Sequence, residues 1–133
     1  MLGERAPFLN GIIDLIYIHN EGAAWGILGG KTVLLLVVTV IALILGVFFL
    51  IKYAYKNKLL FWTVILIMSG GIGNLYDRIF RGGKVIDFLH FEFWPTFPIF
   101  NVADCAIVIG AGMLILYLIL DFINEKNGQK KCR

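Results

Sequence analysis

The sequence predicts an all-α integral membrane protein with three transmembrane helices and a small extracytoplasmic β element, and three observations carry that reading. Of the 133 residues, 59% are hydrophobic and 16% are charged, against roughly 45–50% and about 25% in soluble domains. A soluble fold of this size could not bury so much apolar surface. The excess is gathered into three runs with almost no charge, and the basic residues cluster between and after those runs.

Residues 1–31 precede the first run. They carry neither a basic leader nor a continuous apolar stretch, so no signal peptide is expected. Residues 12–18 (IIDLIYI) are β-branched and aromatic around Asp14, which predicts one or two short strands on the outer surface. The glycine-rich segment 19–30 (HNEGAAWGILGG) then returns the chain toward the membrane.

Residues 32–51 (TVLLLVVTVIALILGVFFLI) form the first span, twenty residues without a formal charge. At about 1.5 Å per helical residue they can cross a hydrocarbon slab about 30 Å thick. Leu, Val and Ile occupy every face, as expected of a lipid-exposed scaffold. Residues 52–58 form a short link containing Lys52, Lys56 and Lys58.

Residues 59–79 form the second span, whose outer end (SGGIGNLYDR) brings in glycines and polar groups. Glycines admit a close neighbour, and such packing is a main source of helix association in lipid. The third span, residues 99–121, offers matching small residues: Ala106 and Gly110 on one face, widened by Ala103, Ala111 and Gly112. The second span is therefore predicted to pack on the third. Between them, residues 80–98 read as an outer loop whose Phe88, Phe91, Phe93, Trp94 and Phe97 suit the headgroup region. Residues 122–133 form a basic tail with Lys126, Lys130, Lys131 and Arg133.

The formal net charge is +3, from twelve Lys and Arg against nine Asp and Glu. Its placement says more than its size. The positive-inside rule puts the 52–58 link and the tail in the cytoplasm and the N-terminus outside, a vote that Arg78, Arg81 and Lys84 weaken without reversing. No basic stripe is interleaved with exposed aromatics, so no nucleic-acid partner is expected. Cys105, Cys132, His19 and His90 are too scattered for a metal cluster, and neither metal nor cofactor is predicted.

Chemistry concentrates at the outer rim. Asn74 and Asp77 are spaced i,i+3 at the end of one helix, and Asn101 and Asp104 repeat that spacing at the start of the next. Asp87 lies in the loop between. Asp104 is about 8 Å into its span by helical rise, and acids at such depth usually face the protein interior or a wet cavity. Plainer roles exist for each residue: a helix-end ion pair for Asp77 with Arg78, bonding across helices for Asn74 and Asn101, and packing for Cys105, which points about 100° from Asp104. Asp104 resists such a reading, since an unpaired carboxylate gains nothing from lipid. Two nearby carboxyls can share one proton, one activating water while the other protonates the carbonyl or the leaving amine. The residues alone leave Asp77 and Asp87 as competing partners for Asp104.

Four segments in order, HNEGAAWGIL (19–28), SGGIGNLYDRIF (69–80), VIDF (85–88) and FNVADCAIVIG (100–110), resemble the lipoprotein signal peptidase family, signal peptidase II. The resemblance implies a membrane aspartic endopeptidase whose catalytic pair falls on Asp87 and Asp104. The supporting or substrate-binding polar residues fall on Asn20, Asn74, Asp77, Arg78 and Asn101. It further implies a diacylglyceryl-modified bacterial prolipoprotein as substrate, cut before the lipidated cysteine, and no cofactor. The implied setting is the bacterial cytoplasmic (inner) membrane, with the site at its extracytoplasmic face, lipids around it and the chain acting as a monomer. The family also carries a small sheet and a mobile helical segment beside the site. Its members usually have four spans, so an additional upstream span in the natural reading frame, or a lower stability of this form, is expected. Two other readings compete: a small proton- or ion-coupled transporter using Asp104 and Asp77, and a catalytically silent membrane interaction protein. The first needs acids near the midplane, and the second would be favoured by loss of Asp87 or Asp104.

Overall fold

The computed structural model describes residues 3–23 and 27–131. Ala24, Trp25 and Gly26 of the glycine-rich segment, and Cys132 and Arg133 of the tail, lie outside the described residues.

Strands β1 (Arg5–Leu9) and β2 (Ile13–Asn20) form a hairpin, of which β2 falls on the segment expected to be strand and β1 on residues with no such expectation. Its turn is closed by a bond from the Ile12 N–H to the Leu9 carbonyl at 2.9 Å, and it passes through Gly11 at φ +78°, a left-handed conformation that glycine adopts without strain. A third strand, β3 (Val85–Phe91), pairs antiparallel with the other edge of β2, giving the order β1-β2-β3. This strand lies within the segment read from sequence as an aromatic loop. Its hairpin-forming cues are absent because its partner lies on the far side of two helices.

Helix α1 (Thr32–Lys52) leads through one 3-10 turn (Ala54–Lys56) to α2 (Lys58–Phe80), and α3 (Val102–Lys131) ends the described chain. All three are long and apolar enough to cross a membrane. Asn57 caps α2 by accepting the Leu60 N–H at 3.1 Å. Helix α3 runs on through residues expected as a tail, whose Glu, Lys and Gln are good helix formers. Helix α1 is exposed almost throughout, with Leu35 its buried residue.

The second and third helices pack closely, as their glycines predict. A methyl built on Gly110 would lie 2.6 Å from Ile67 Cγ1 and 3.1 Å from the Thr63 carbonyl oxygen, and one on Gly70 would fall on the carbonyl oxygen of Ala103. The contact runs through Ala103, Ile107 and Gly110, spaced i,i+4,i+7, and Ala103 and Gly110 are two of the small residues expected on this face. An apolar cluster of Ala54, Leu60 and Val64, with Leu50, Met68, Leu114 and Tyr117 against it, fills the end of the bundle near the α1–α2 turn. The sheet and the polar residues occupy the other end.

The segment after β3 folds back on it. The Phe88 and Leu89 N–H groups both donate to the Phe100 carbonyl, at 2.9 and 2.8 Å, and the Phe100 N–H returns a bond to Leu89 at 3.0 Å. The Phe91 ring packs at a tilt against Phe97 and Phe100, with centroids 5.3 and 4.9 Å apart. This bridge delivers Asn101, the residue preceding α3, to the side of Asp87.

Candidate active site

Asp87 stands on β3 with 1% of its surface exposed. Such a carboxylate needs a donor at each oxygen, and it has them: Asn20 Nδ2 donates to Oδ2 at 2.8 Å and Asn101 Nδ2 to Oδ1 at 2.7 Å. Asn20 is the last residue of β2, opposite Val85 in the register. Its own side-chain oxygen accepts the Gly22 N–H at 2.8 Å, which fixes the amide with its nitrogen toward Asp87.

Asn101 has a second task. Its Oδ1 accepts the Asp104 N–H at 3.0 Å while Asp104 Oδ2 accepts the Asn101 N–H at 3.1 Å, a reciprocal capping box at the start of α3. The remaining Asp104 oxygen accepts Asn74 Nδ2 at 2.8 Å, and Asn74 Oδ1 in turn accepts Asn101 Nδ2 at 3.0 Å. A continuous chain of hydrogen bonds thus runs from Asn20 through Asp87, Asn101 and Asn74 to Asp104. Burial pushes the Asp87 carboxyl above the ordinary carboxylate range; the amides of Asn20 and Asn101 pull it back, the Asp104 charge adds to the rise, and Arg78 opposes it.

Arg78 is buried behind this chain, with 8% exposure. Its Nη2 donates to the Gly22 carbonyl at 2.7 Å and its Nη1 to the Asn74 carbonyl at 3.3 Å, so it ties the turn after β2 to α2. The sequence named Arg78 but gave no sign that a backbone carbonyl would receive it. Glu21 and Lys84 add an exposed ion pair at 2.8 Å between the same turn and the start of β3. The Lys84 ammonium holds Glu21 below the usual carboxylate range, though exposure and screening leave such a pair little weight in stability.

Asp77 departs from expectation. It does not take its neighbour Arg78, because adjacent helical side chains diverge by about 100°; its Oδ1 accepts Arg81 Nε at 2.8 Å, four residues on. Its Oδ2 accepts the backbone N–H of Ile86 at 2.9 Å. The structure therefore brings Asp87, Asp104, Asn20, Asn74 and Asn101 into one network, with Arg78 behind it and Asp77 turned toward the backbone of β3. Cys105 is partly buried, and its N–H donates to the Asn101 carbonyl at 3.2 Å. Among the described residues no three His, Cys, Asp or Glu side chains are placed to hold a metal ion.

Comparisons with known proteins point in one direction. The family model for signal peptidase (SPase) II matches residues 2–120. The lipoprotein signal peptidase of Clostridium acetobutylicum is 42% identical over 118 residues, spanning 88% of this chain and 77% of that protein. The protein of the same name from Enterococcus faecalis is 42% identical over 128 residues, spanning 96% and 78%. A bacterial membrane enzyme solved by the in meso method at 2.3 Å resolution superposes with a TM-score of 0.86 at 35% identity, covering 93% of this chain and 76% of the other.

Proposed function

From the premise that this chain belongs to the signal peptidase II family, we propose that it is a multi-pass membrane aspartic endopeptidase that removes signal peptides from diacylglyceryl-modified prolipoproteins, cutting before the lipidated cysteine. The observation that carries the catalytic assignment is the double engagement of Asn101, whose side chain bonds Asp87 directly and reaches Asp104 through Asn74 and through the helix cap. Two carboxyls joined in this way act as a pair.

In the reaction, Asp87 holds the shared proton, since burial favours its neutral form. Asp104 takes a proton from water as the water oxygen attacks the scissile carbonyl carbon, and Asp87 gives its proton to the carbonyl oxygen. Collapse of the tetrahedral intermediate breaks the C–N bond, with the proton on Asp104 passing to the leaving nitrogen and a hydroxyl proton returning to Asp87. Asn20, Asn74 and Asn101 hold the two carboxyls in place throughout, and neither metal nor cofactor takes part.

Depth suits this substrate. Asp104 lies in the first turn of α3 and Asp87 in the sheet beyond it, so acyl chains could stay in lipid while the scissile bond lies at headgroup level. A transporter would place its acids near the midplane, whereas Asp77 lies in the last turn of α2. Lys52, Lys56 and Lys58 at the opposite end support an orientation with that end in the cytoplasm and the site outside, at the bacterial cytoplasmic membrane.

The test is incubation of the purified chain with a diacylglyceryl-modified prolipoprotein and with its unmodified form. Cleavage of the modified form alone, abolished in Asp87→Asn and Asp104→Asn proteins that melt normally, is the expected outcome. Undiminished cleavage by either variant would overturn the assignment of the pair.

A further inference from the structure

The free edge of β3 is covered in an unusual way. One edge of this strand pairs with β2, but that ladder is interrupted: Ile18 faces Asp87 and Leu15 faces Leu89, with a register shift between them. The break falls at the stretch where the position of Asp87 matters most. On the other edge no strand follows among the described residues, and the outward N–H groups find other acceptors. Phe88 donates to Phe100, as described, and Ile86 donates to the Asp77 carboxylate at 2.9 Å.

Asp77 is well placed to anchor that amide. It sits in the last turn of α2, its side chain is 19% exposed, and its second oxygen is held by Arg81 at 2.8 Å. The link from α2 to β3 is short and passes through two left-handed glycines, Gly82 at φ +62° and Gly83 at φ +88°. Glycines permit that reversal but do little to hold it. Slippage of a strand by one residue would turn Asp87 to the opposite face.

We propose that Asp77 is a positioning residue that fixes the height and register of β3 through the Ile86 amide, and so places the adjacent Asp87 carboxyl between Asn20 and Asn101. The proposal rests on the reading of Asp87 as one of the catalytic pair. It gives Asp77 no contact with substrate, and it makes the ion pair with Arg81 dispensable: the feature that counts is an oxygen that can accept from Ile86. Asparagine can supply that oxygen, and alanine cannot.

Four variants test this: Asp77→Ala, Asp77→Asn, Arg81→Gln and, as reference, Asp87→Asn. Each is assayed on lipid-modified substrate for kcat, KM and the pH profile of kcat, and the Ile86 amide is followed by hydrogen exchange in detergent. A displaced reacting group can cost about 100-fold in rate, so Asp77→Ala should lose kcat on that scale with KM within about twofold and with faster exchange at Ile86. Asp77→Asn should stay within about fivefold, with Ile86 protected and the pH profile unmoved. Arg81→Gln should match the parent. Equal losses in Asp77→Asn and Asp77→Ala, or a comparable loss in Arg81→Gln, would overturn the proposal, because charge rather than the accepting oxygen would then be at work. Retained kcat in Asp77→Ala beside an inactive Asp87→Asn would also overturn it while leaving the catalytic pair standing; an active Asp87→Asn would instead remove the pair itself. If Asp77→Ala does not fold, the comparison of Asp77→Asn with Arg81→Gln and the Ile86 exchange decide the matter.

Discussion

Asn101 and Asp104 hold each other: the side-chain oxygen of each accepts the backbone N–H of the other, at 3.0 and 3.1 Å. The first turn of α3 and the proposed chemistry therefore depend on the same carboxylate. Asp104→Asn keeps an oxygen for the Asn101 N–H and should lose turnover with little loss of stability. Asp104→Ala removes the cap as well, at a cost of about 1 kcal/mol. Thermal unfolding in detergent beside cleavage assays will separate the two effects, and equal melting of the two variants would show that the cap contributes nothing.

Stability should depend on pH through Asp87. Its carboxyl is raised in the folded protein, so between the ordinary carboxylate range and that raised value the folded chain keeps a proton that the unfolded chain releases. Stability is then fully present below the ordinary range and falls as pH rises through the folded value. Asp87→Asn should flatten this slope when detergent unfolding is measured across the acidic and neutral range. Turnover should fall at both pH extremes, because the proposed reaction needs one group that gives a proton and another that takes one.

The approach of α2 to α3 can be tested with a matched pair of glycines. A methyl at Gly110 meets Ile67 and the Thr63 carbonyl, whereas one at Gly112 meets nothing within 4 Å. Gly110→Ala should destabilise by about 1–3 kcal/mol and weaken cleavage, because Asn74 and Asp104, bonded to each other, come from the two helices being pushed apart. Gly112→Ala should melt at or slightly above the parent. Similar melting of the two would argue against the packing.

Orientation is open to chemical labelling. With Cys105 and Cys132 replaced by alanine, single cysteines at Asn57 and at the exposed Thr96 should react differently with an impermeant thiol reagent added outside intact cells. Thr96→Cys should label and Asn57→Cys should not; the reverse pattern would invert the proposed topology. Cys105→Ala itself should retain substantial turnover, and loss of cleavage in that variant alone would point to a cysteine nucleophile.

Much of this architecture is legible in the sequence because lipid imposes length and composition directly. The nearly uncharged runs became α1, α2 and α3, and the i,i+3 spacing of Asn101 and Asp104 became a capping box. What escaped depended on distant partners. Strand β3 needs β2, which lies before two helices, and its VIDFLHF pattern reads equally as interfacial aromatics. Asp77 could be assigned to Arg78 by adjacency, but helical geometry favours Arg81, and its bond to Ile86 N has no side-chain signature.

The hydrogen-bond chain from Asn20 to Asp104 joins residues made early in synthesis to residues made late. A ribosome that has released Asn20, Asn74 and Asp87 has still not supplied Asn101 or Asp104, and the Phe100 bridge that seats Asn101 against β3 is also missing. Until the third helix enters the bilayer the carboxyls have no common frame. On the proposed mechanism the unfinished chain is therefore inert, and hydrolytic capacity arises only as the last helix is inserted.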